Sequence, residues 1–232
     1  MKLIQIPFSH NCIKVRVALA LKKVPHELEN IRPMNRSSVL RASRQGLVPV
    51  LVDGERAIAD STAILLHLEE RYPDPPLLPR DPHERVRCLV LEDWADRAFM
   101  EVSRRIAYGT ILRTPGTIAT MFFPEARGIS ARVKERLAQR VVRKRFRISD
   151  GRHRRDLVEA RRAAALAVEV LGGRPWLMES GPTIADVALA TMSAPLAVDV
   201  DLRGEPAVST LLAWGEHLLP PDVVAAYRRT SP

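Results

Sequence analysis

A proline-rich segment at residues 73–82 divides this chain into two parts with different patterns. The segment, PDPPLLPRDP, holds five prolines in ten positions. Proline lacks a backbone N–H and fixes φ, so neither a helix nor a strand continues through such a segment. Strand and helix signals alternate before it, and strand signals almost vanish after it. The sequence therefore predicts an α/β domain at 1–75, a linker at 76–82 and an all-helical domain at 83–232.

The first part is predicted to have the order βαβαββα. Short runs rich in β-branched and apolar residues indicate strands, and longer runs with apolar residues three or four apart indicate helices. Asp53 and Gly54 form a turn signal between the last two strands. The predicted strands are KLIQI, HELENI, PVLVD and RAIAD, and the predicted helices are CIKVRVALALKK, SSVLRAS and STAILLHLEERY.

The second part is predicted to be helical. A long pattern begins at His83, and a loop is expected around Thr114–Gly116 and Phe123–Pro124. Thr183 and Asp186 have the spacing of a capping box, which is a folding signal and carries no chemistry. Cys88 is expected in the core. Further helices are predicted near 130–147, near 152–171, from Thr183 onward and after Pro206.

Composition narrows the environment of the chain. The apolar fraction of 46% supports a sizeable core, and no window approaches 18 uninterrupted apolar residues, so no membrane span is expected. The two cysteines, Cys12 and Cys88, form no disulfide framework and have no metal-ligand spacing with histidine. Free thiols and the absence of a secretory pattern at the N-terminus favour the cytoplasm.

The net charge of +9 is concentrated in residues 132–156. Such a segment attracts phosphates or anionic substrates, or it is the solvated basic face of an amphipathic helix. The second interpretation is favoured, and nucleic-acid binding is not expected, because Phe146 is the one interleaved aromatic residue and no nucleic-acid motif is present. Apolar residues recur at roughly helical spacing at Val133, Leu137, Val141 and Phe146.

Three stretches resemble the cytosolic glutathione S-transferase family. SHNCIKVRVALALKK is similar to the start of that family's first helix, and QGLVPVLVDGERAIADSTAILLHLEERYPDPPLLPRDPHER is similar to its core motif. GPTIADVALA is similar to a helix start in its C-terminal domain. The resemblance implies a thioredoxin-like N-terminal domain, an all-α C-terminal domain and glutathione as co-substrate, without a metal.

The resemblance also implies where glutathione binds. A cis bond between Val48 and Pro49 would present the Val48 backbone to an extended peptide. Asp60 and Ser61 stand at a helix N-terminus, which suits the carboxylate and ammonium of the γ-glutamyl group. The dipeptide alone favours an ordinary N-cap, whereas its spacing from GLVPVLVDG, as in the family, favours the binding role. Leu47 replaces the Lys or Gln that many family members have, so Arg36 is the candidate for the glycine carboxylate.

Two residues compete for the sulfur chemistry. Ser9 occupies the position whose hydroxyl supports the thiolate of bound glutathione, with Asn11 as a further polar contact. Cys12, at a helix start where thiol pKa values fall, would instead act by thiol transfer or reduction. Ser9 is favoured, because Cys12 matches the second and more buried position of the thioredoxin-like motif. His10 is expected on a surface loop.

The predicted activity is attack of the glutathione thiol on an apolar electrophile held between the domains. Phe99, Arg104 and Tyr108 are the predicted contacts of that second substrate, and a homodimer is expected from the resemblance. Two alternatives remain open: a glutathione-dependent thiol transferase or reductase that uses Cys12, and a binding module without catalysis.

Overall fold

A computed structural model describes residues 1–229 of the chain. The first part contains strands β1 Lys2–Gln5, β2 Glu27–Asn30, β3 Val50–Asp53 and β4 Arg56–Ala59, and helices α1 His10–Leu21, α2 Ser37–Ser43 and α3 Ser61–Arg71. The strands form one sheet in the order β2-β1-β3-β4. β1 is parallel to β2 and antiparallel to β3, and β3 is antiparallel to β4. The predicted order βαβαββα is confirmed.

The strand register brings four chain segments to one end of the sheet. Gln5 at the end of β1 pairs with Asn30 at the end of β2. Ile4 pairs with Val50 at the start of β3, and Val50 pairs with Ala59 at the end of β4. The segments after β1, β2 and β4 and the segment before β3 therefore meet at this end, which we call the site end.

The second part is helical, as predicted. A π-helical turn, Ala95–Phe99, joins the first two helices into one long element, and a 3-10 turn, Ala194–Val198, follows the sixth. The helices are α4 Pro82–Trp94, α5 Met100–Ile111, α6 Thr117–Phe122, α7 Gly128–Phe146, α8 Asp150–Leu171, α9 Ile184–Ser193, α10 Val200–Arg203, α11 Pro206–Glu216 and α12 Pro221–Arg229. Helix α6 lies between the two predicted loop signals and was not predicted.

Helix α1 joins the two parts. It contacts α3 in the first part and α9 in the second, and Ile13, Val15 and Leu19 are at most 2% exposed. These residues and the apolar face of α9 belong to one continuous core. A helix that is apolar on nearly all sides is buried on nearly all sides, and this explains why α1 positions its N-terminus rigidly at the site end.

The proline-rich segment is anchored although it has no regular structure. Lys22 Nζ donates to the carbonyl oxygens of Tyr72 at 2.6 Å and Pro75 at 2.9 Å. Glu69 accepts a hydrogen bond from the backbone N–H of Leu77 at 2.9 Å, and Leu77 is 1% exposed. The segment therefore fixes the position of α4. The division into separate domains at 75 and 83 stays a prediction.

The predicted capping box of α9 is present. Asp186 Oδ2 accepts hydrogen bonds from the Thr183 backbone N–H at 2.8 Å and from its hydroxyl at 2.7 Å. Asp186 Oδ1 also accepts from the Leu177 N–H at 2.7 Å. This second role ties the loop before α9 to the helix start. Cys88 is fully buried in the core, as expected.

Helix α7 differs from the interpretation of its sequence. Val133, Leu137 and Val141 are each more than half exposed, whereas Ala138 and Val142 are the buried residues of this helix. The spacing of apolar residues indicated a helix correctly but selected the wrong buried face.

Among the described residues, no helix combines the length and the apolar character that a membrane crossing needs.

Candidate functional site

The site end of the sheet is framed by the N-termini of two helices. Helix α1 begins at His10 after β1, and helix α3 begins at Ser61 after β4. A helix N-terminus carries free N–H groups and a partial positive charge. Two such termini at one end of a sheet make that end suitable for a ligand with anionic groups.

Ser9 and Cys12 lie together at the first of these termini. Ser9 is the N-cap residue of α1 and is half-buried, and its side chain is hydrogen-bonded to the Cys12 sulfur. The Ser9 backbone N–H donates to the Ile6 carbonyl at 2.9 Å, which fixes the turn between β1 and α1. Ser9 therefore stands at the start of α1 and remains partly accessible.

The expected low pKa of Cys12 is wrong. Burial raises the pKa of the Cys12 thiol to about 11, although hydrogen bonds from the Ile6 backbone and the Ser9 side chain and the charge of Arg36 act in the opposite direction. The sulfur belongs to a residue with 0% exposure. Desolvation outweighs the helix terminus here because the thiolate would lie in an apolar core.

At the second terminus, Asp60 and Ser61 have different roles. Asp60 Oδ1 accepts a hydrogen bond from the Ala63 N–H at 3.0 Å and so caps α3. Its backbone has φ of 82°, a conformation that is costly for a residue with a side chain and is often found at functional sites. Ser61 is 2% exposed, and its hydroxyl oxygen has no hydrogen-bond partner.

Two further predicted residues carry buried polar atoms without partners. Asn11 Oδ1 and one terminal guanidinium nitrogen of Arg36 are buried and make no hydrogen bond. The Nε of Arg36 donates to the Pro33 carbonyl at 3.0 Å, which orients the side chain. An unpaired buried polar atom destabilises a fold by about 1–3 kcal/mol. Asn11, Arg36 and Ser61 lie in the segments after β1, β2 and β4, respectively. All three unpaired atoms therefore belong to segments that begin at the site end.

The segment before β3 has the expected backbone. The bond between Val48 and Pro49 is cis, and β3 begins only at Val50. Val48 therefore stands at the site end just outside the strand ladder. Leu47 is 59% exposed and offers no cation there.

Helix α5 supplies two of the three predicted contacts for a second substrate. The Tyr108 ring stacks on Phe146 with ring centroids 4.7 Å apart, and the Arg104 guanidinium lies 4.9 Å from the Phe146 centroid. Phe99 was expected beside them, and that is wrong. It is 1% exposed and stacks on Trp94 in the core, because the π-helical turn shifts the faces of the long α4–α5 element.

Electrostatics links α5 to the site end. Burial raises the pKa of Tyr108, and the positive charges of Arg104 and Arg36 act in the opposite direction. Burial and the charge of Arg104 lower the pKa of His10 to about 4. His10 is therefore a half-buried helix residue rather than a surface loop residue.

No sequence pattern pointed to Tyr227 of α12, which lies close enough to Tyr108 for their charges to interact. Helix α12 is held there by an ion pair between Arg16 and Asp222 at 2.7 Å.

A cavity of about 640 Å³ opens between α5 and the C-terminal half of α7. Arg104 is part of its wall, and the charge of this residue also acts on His10 at the start of α1. The basic segment was interpreted as a solvated face, and this holds for most of α7. Its last residues are the exception, since the cavity wall includes Lys144, Arg145, Phe146 and Arg147.

Residues 3–76 match the family model described as glutathione S-transferase, N-terminal domain. The match covers every segment that meets at the site end. This part of the chain is therefore similar to the N-terminal domain of glutathione S-transferases. The similarity in fold extends to the helical part, because a glutathione S-transferase from Rhodospirillum rubrum F11 superimposes with a TM-score of 0.66 over 94% of this chain and 86% of that chain. Its identity of 24% shows the shared fold.

Curated relatives match the glutathione S-transferase N-terminal domain. Glutathione S-transferase Z1 of Arabidopsis thaliana is 45% identical over 76 residues, which are 31% of this chain and 34% of the relative. A stringent starvation protein A homolog of Haemophilus ducreyi is 42% identical over 76 residues, which are 32% of this chain and 34% of that protein. The chain thus spans about a third of the length of the curated relatives it matches.

Proposed function

We propose that this chain binds glutathione at the site end and activates its thiol for attack on an electrophile in the adjoining cavity. The observation that carries the proposal is the set of buried, unpaired polar atoms of Asn11, Arg36 and Ser61, which lie in segments that meet at the site end, as does the half-buried Ser9. A peptide with two carboxylates and an ammonium would give these atoms hydrogen-bond partners. The unpaired atoms are costly in the free protein and become favourable in the complex.

The γ-glutamyl group fits the N-terminus of α3. The Ser61 hydroxyl and the first N–H groups of α3 would donate to the carboxylate, where the helix charge is favourable. The Asp60 carboxylate, already oriented by its bond to the Ala63 N–H, lies next to this position and suits the ammonium. The Val48 backbone would pair with the central part of the extended peptide, and Arg36 would contact the glycine carboxylate.

Ser9 is the residue that we assign to the sulfur. Its hydroxyl would donate to the glutathione sulfur in place of its present contact with Cys12. A hydrogen bond to a charged group contributes about 1.5–3 kcal/mol, and one pKa unit equals about 1.4 kcal/mol, so this bond lowers a thiol pKa by roughly one to two units. The positive charges of Arg36 and Arg104 nearby act in the same direction.

The reaction would then need no covalent intermediate with the protein. The thiol proton leaves to solvent, the sulfur forms a bond to the electrophilic carbon, and the leaving group departs with its electron pair. The residues of the chain bind and orient the two substrates and stabilise the thiolate. A thiol transferase that uses Cys12 is disfavoured, because that thiol is buried and protonated at neutral pH.

The decisive experiment measures binding and turnover separately. Calorimetry with glutathione is expected to give binding in the millimolar range or tighter, and conjugation with 1-chloro-2,4-dinitrobenzene is expected to exceed the uncatalysed rate. A chain that binds no glutathione would contradict the proposal. In that case a binding module is the better interpretation, and the relative named as a stringent starvation protein A homolog gives a reason to test it.

We also propose a cytoplasmic homodimer. Val86 and Val90, four residues apart on α4, are each 62% exposed, and Leu66 on α3 is 40% exposed. Apolar side chains at helical spacing on neighbouring helices suit an isologous interface. The two free cysteines fit a reducing compartment.

A further inference from the structure

The cavity between α5 and α7 has a wall that is almost entirely cationic. It encloses about 640 Å³, a volume typical of small-molecule sites. Its one carboxylate among the described residues is that of Glu101. The cationic wall consists of Arg104 and Arg105 from α5, Lys144, Arg145 and Arg147 from the end of α7, and Arg152 from α8.

The acidic groups near this wall are already engaged. Glu101 Oε2 lies 3.0 Å from a terminal nitrogen of Arg105. Asp156 accepts from the same guanidinium at 2.8 Å and 2.9 Å. Arg105 is thus neutralised by two carboxylates, and Glu101 is committed to it. The other five cations of the wall retain a net positive charge that favours an anionic ligand.

Arg104 is the half-buried member of this group that carries an unpaired nitrogen. Its Nε is buried without a hydrogen-bond partner, and burial lowers its pKa. The nearby charge of Arg145 acts in the same direction. A buried guanidinium nitrogen beside a second cation would gain both a hydrogen bond and charge compensation from a carboxylate or sulfonate.

The same wall presents an aromatic surface. Phe146 stacks on Tyr108 with an angle of 11° between the rings. Arg104 and Arg145 lie 4.9 Å and 5.7 Å from the Phe146 centroid. Flat guanidinium groups around aromatic rings match a planar aromatic ligand that carries an anionic group, because such a ligand uses stacking and ion pairing together.

We infer that the second substrate is an aromatic electrophile bearing a carboxylate or sulfonate, bound with its anionic group on the wall of Arg104, Lys144 and Arg145. The inference rests on the proposed glutathione transfer for its electrophile, whereas its anion-binding part does not depend on that reaction. The expectation of an apolar electrophile is thereby narrowed: the reacting ring is apolar, and its substituent is charged.

The first test compares two electrophiles, 1-chloro-2,4-dinitrobenzene and 4-chloro-3,5-dinitrobenzoate, each as the ratio of its catalysed to its uncatalysed rate constant. The anionic substrate is expected to have the higher ratio. In the Lys144→Gln/Arg145→Gln variant that ratio should fall about tenfold or more, which corresponds to about 1.4 kcal/mol. The ratio for the neutral substrate should fall less than the ratio for the anionic substrate, so that the variant loses the preference for the anionic one.

The matched control is Arg132→Gln/Arg136→Gln. Both residues are exposed on the same helix outside the cavity wall, so this variant loses the same charge from α7. It is expected to keep both ratios. Equal losses in the two double variants would show an effect of overall charge and would overturn the inference, as would a neutral substrate that is preferred by the unmodified chain.

The second test measures the binding of an anionic and a neutral aromatic dye without any reaction. The fluorescence of 8-anilinonaphthalene-1-sulfonate is titrated against that of its uncharged analogue N-phenyl-1-naphthylamine. The sulfonate should bind more tightly, and the Lys144→Gln/Arg145→Gln variant should abolish the difference.

If sulfonate binding is lost in this variant but no electrophile reacts, the proposed reaction fails and the anion site stands. If conjugation occurs but neither probe discriminates, the anion site fails alone. Displacement of the dye by a short RNA duplex at low salt, and not by benzoates, would assign the wall to nucleic acid instead.

Discussion

Lys14 Nζ of α1 lies 2.9 Å from Asp96 Oδ1 in the π-helical turn that follows α4. The lysine is 0% exposed and is also bonded to Glu92 of α4 and, at 3.0 Å, to Thr62 Oγ1 of α3. Thr62 donates in turn to Glu92 at 2.7 Å. This buried network joins three helices beside Ser61, so it ties the position of the α3 N-terminus to the helical part of the chain.

Replacing Lys14 with Met should destabilise the chain by about 3–5 kcal/mol, because two carboxylates would lose their buried cation. Urea unfolding of the variant measures this loss. The control is Lys2→Met, since the Lys2–Glu29 pair is 43% and 31% exposed and should contribute at most about 1 kcal/mol. Similar midpoints for the two variants would contradict a structural role of the network.

Ser9→Ala should reduce kcat/KM for conjugation by about 10–100-fold, the loss expected for one hydrogen bond to a thiolate. The pH at which the rate is half-maximal should rise, because the bound thiol would ionise less easily. Cys12→Ala should retain conjugation and an unchanged pH profile. If the loss follows Cys12 rather than Ser9, the assignment of the sulfur to Ser9 is wrong.

Ser61→Ala should weaken glutathione binding by about 5–20-fold, measured by calorimetry, since a buried donor for the γ-glutamyl carboxylate is removed. The value of kcat at saturating glutathione should change little, because this contact is present before and during reaction. Ser209→Ala on the exposed face of α11 is the control. The Ser61→Ala variant should also be at least as stable as the unmodified chain, because it lacks the unpaired hydroxyl of Ser61.

His10 makes stability depend on pH in acid. Its pKa falls from 6.5 to about 4 in the folded chain, so below 6.5 the unfolded state binds the extra proton. The stability present above 6.5 is therefore lost as pH falls toward 4, by at most about 3 kcal/mol. In the His10→Gln variant, the midpoint of urea unfolding should depend less on pH between 6.5 and 4 than it does in the unmodified chain. The pKa of His153 is also lowered, but its contribution is common to both proteins and cancels in the comparison.

Val86→Lys/Val90→Lys should convert the chain to a monomer in sedimentation experiments, because four charges would enter the proposed two-fold interface. The folded core should be retained, since both side chains are largely exposed. Val158→Lys on α8, also exposed at 64%, is the control. A chain that sediments as a monomer before substitution would contradict the proposed homodimer.

The local parts of the site could be read from the sequence because short-range rules determine them. Asp60 and Ser61 begin a helix, Ser9 ends the turn between β1 and α1, and Val48 precedes a proline. Each of these positions follows from its neighbours along the chain. His10 and Phe99 were placed wrongly, and the effect of burial on the Cys12 thiol was underestimated. In each case the error concerns burial, which depends on contacts between α1, α5 and the core rather than on adjacent residues.

The order of strands and helices and the types of residue that can hold a charged tripeptide follow from the amino-acid sequence, because backbone propensity and periodicity are properties of neighbouring residues. The protonated state of the Cys12 thiol and the cavity that the end of α7 faces beside Arg104 follow only from the folded chain. Desolvation and electrostatic fields are set by groups far apart in the chain, and folding alone brings those groups together.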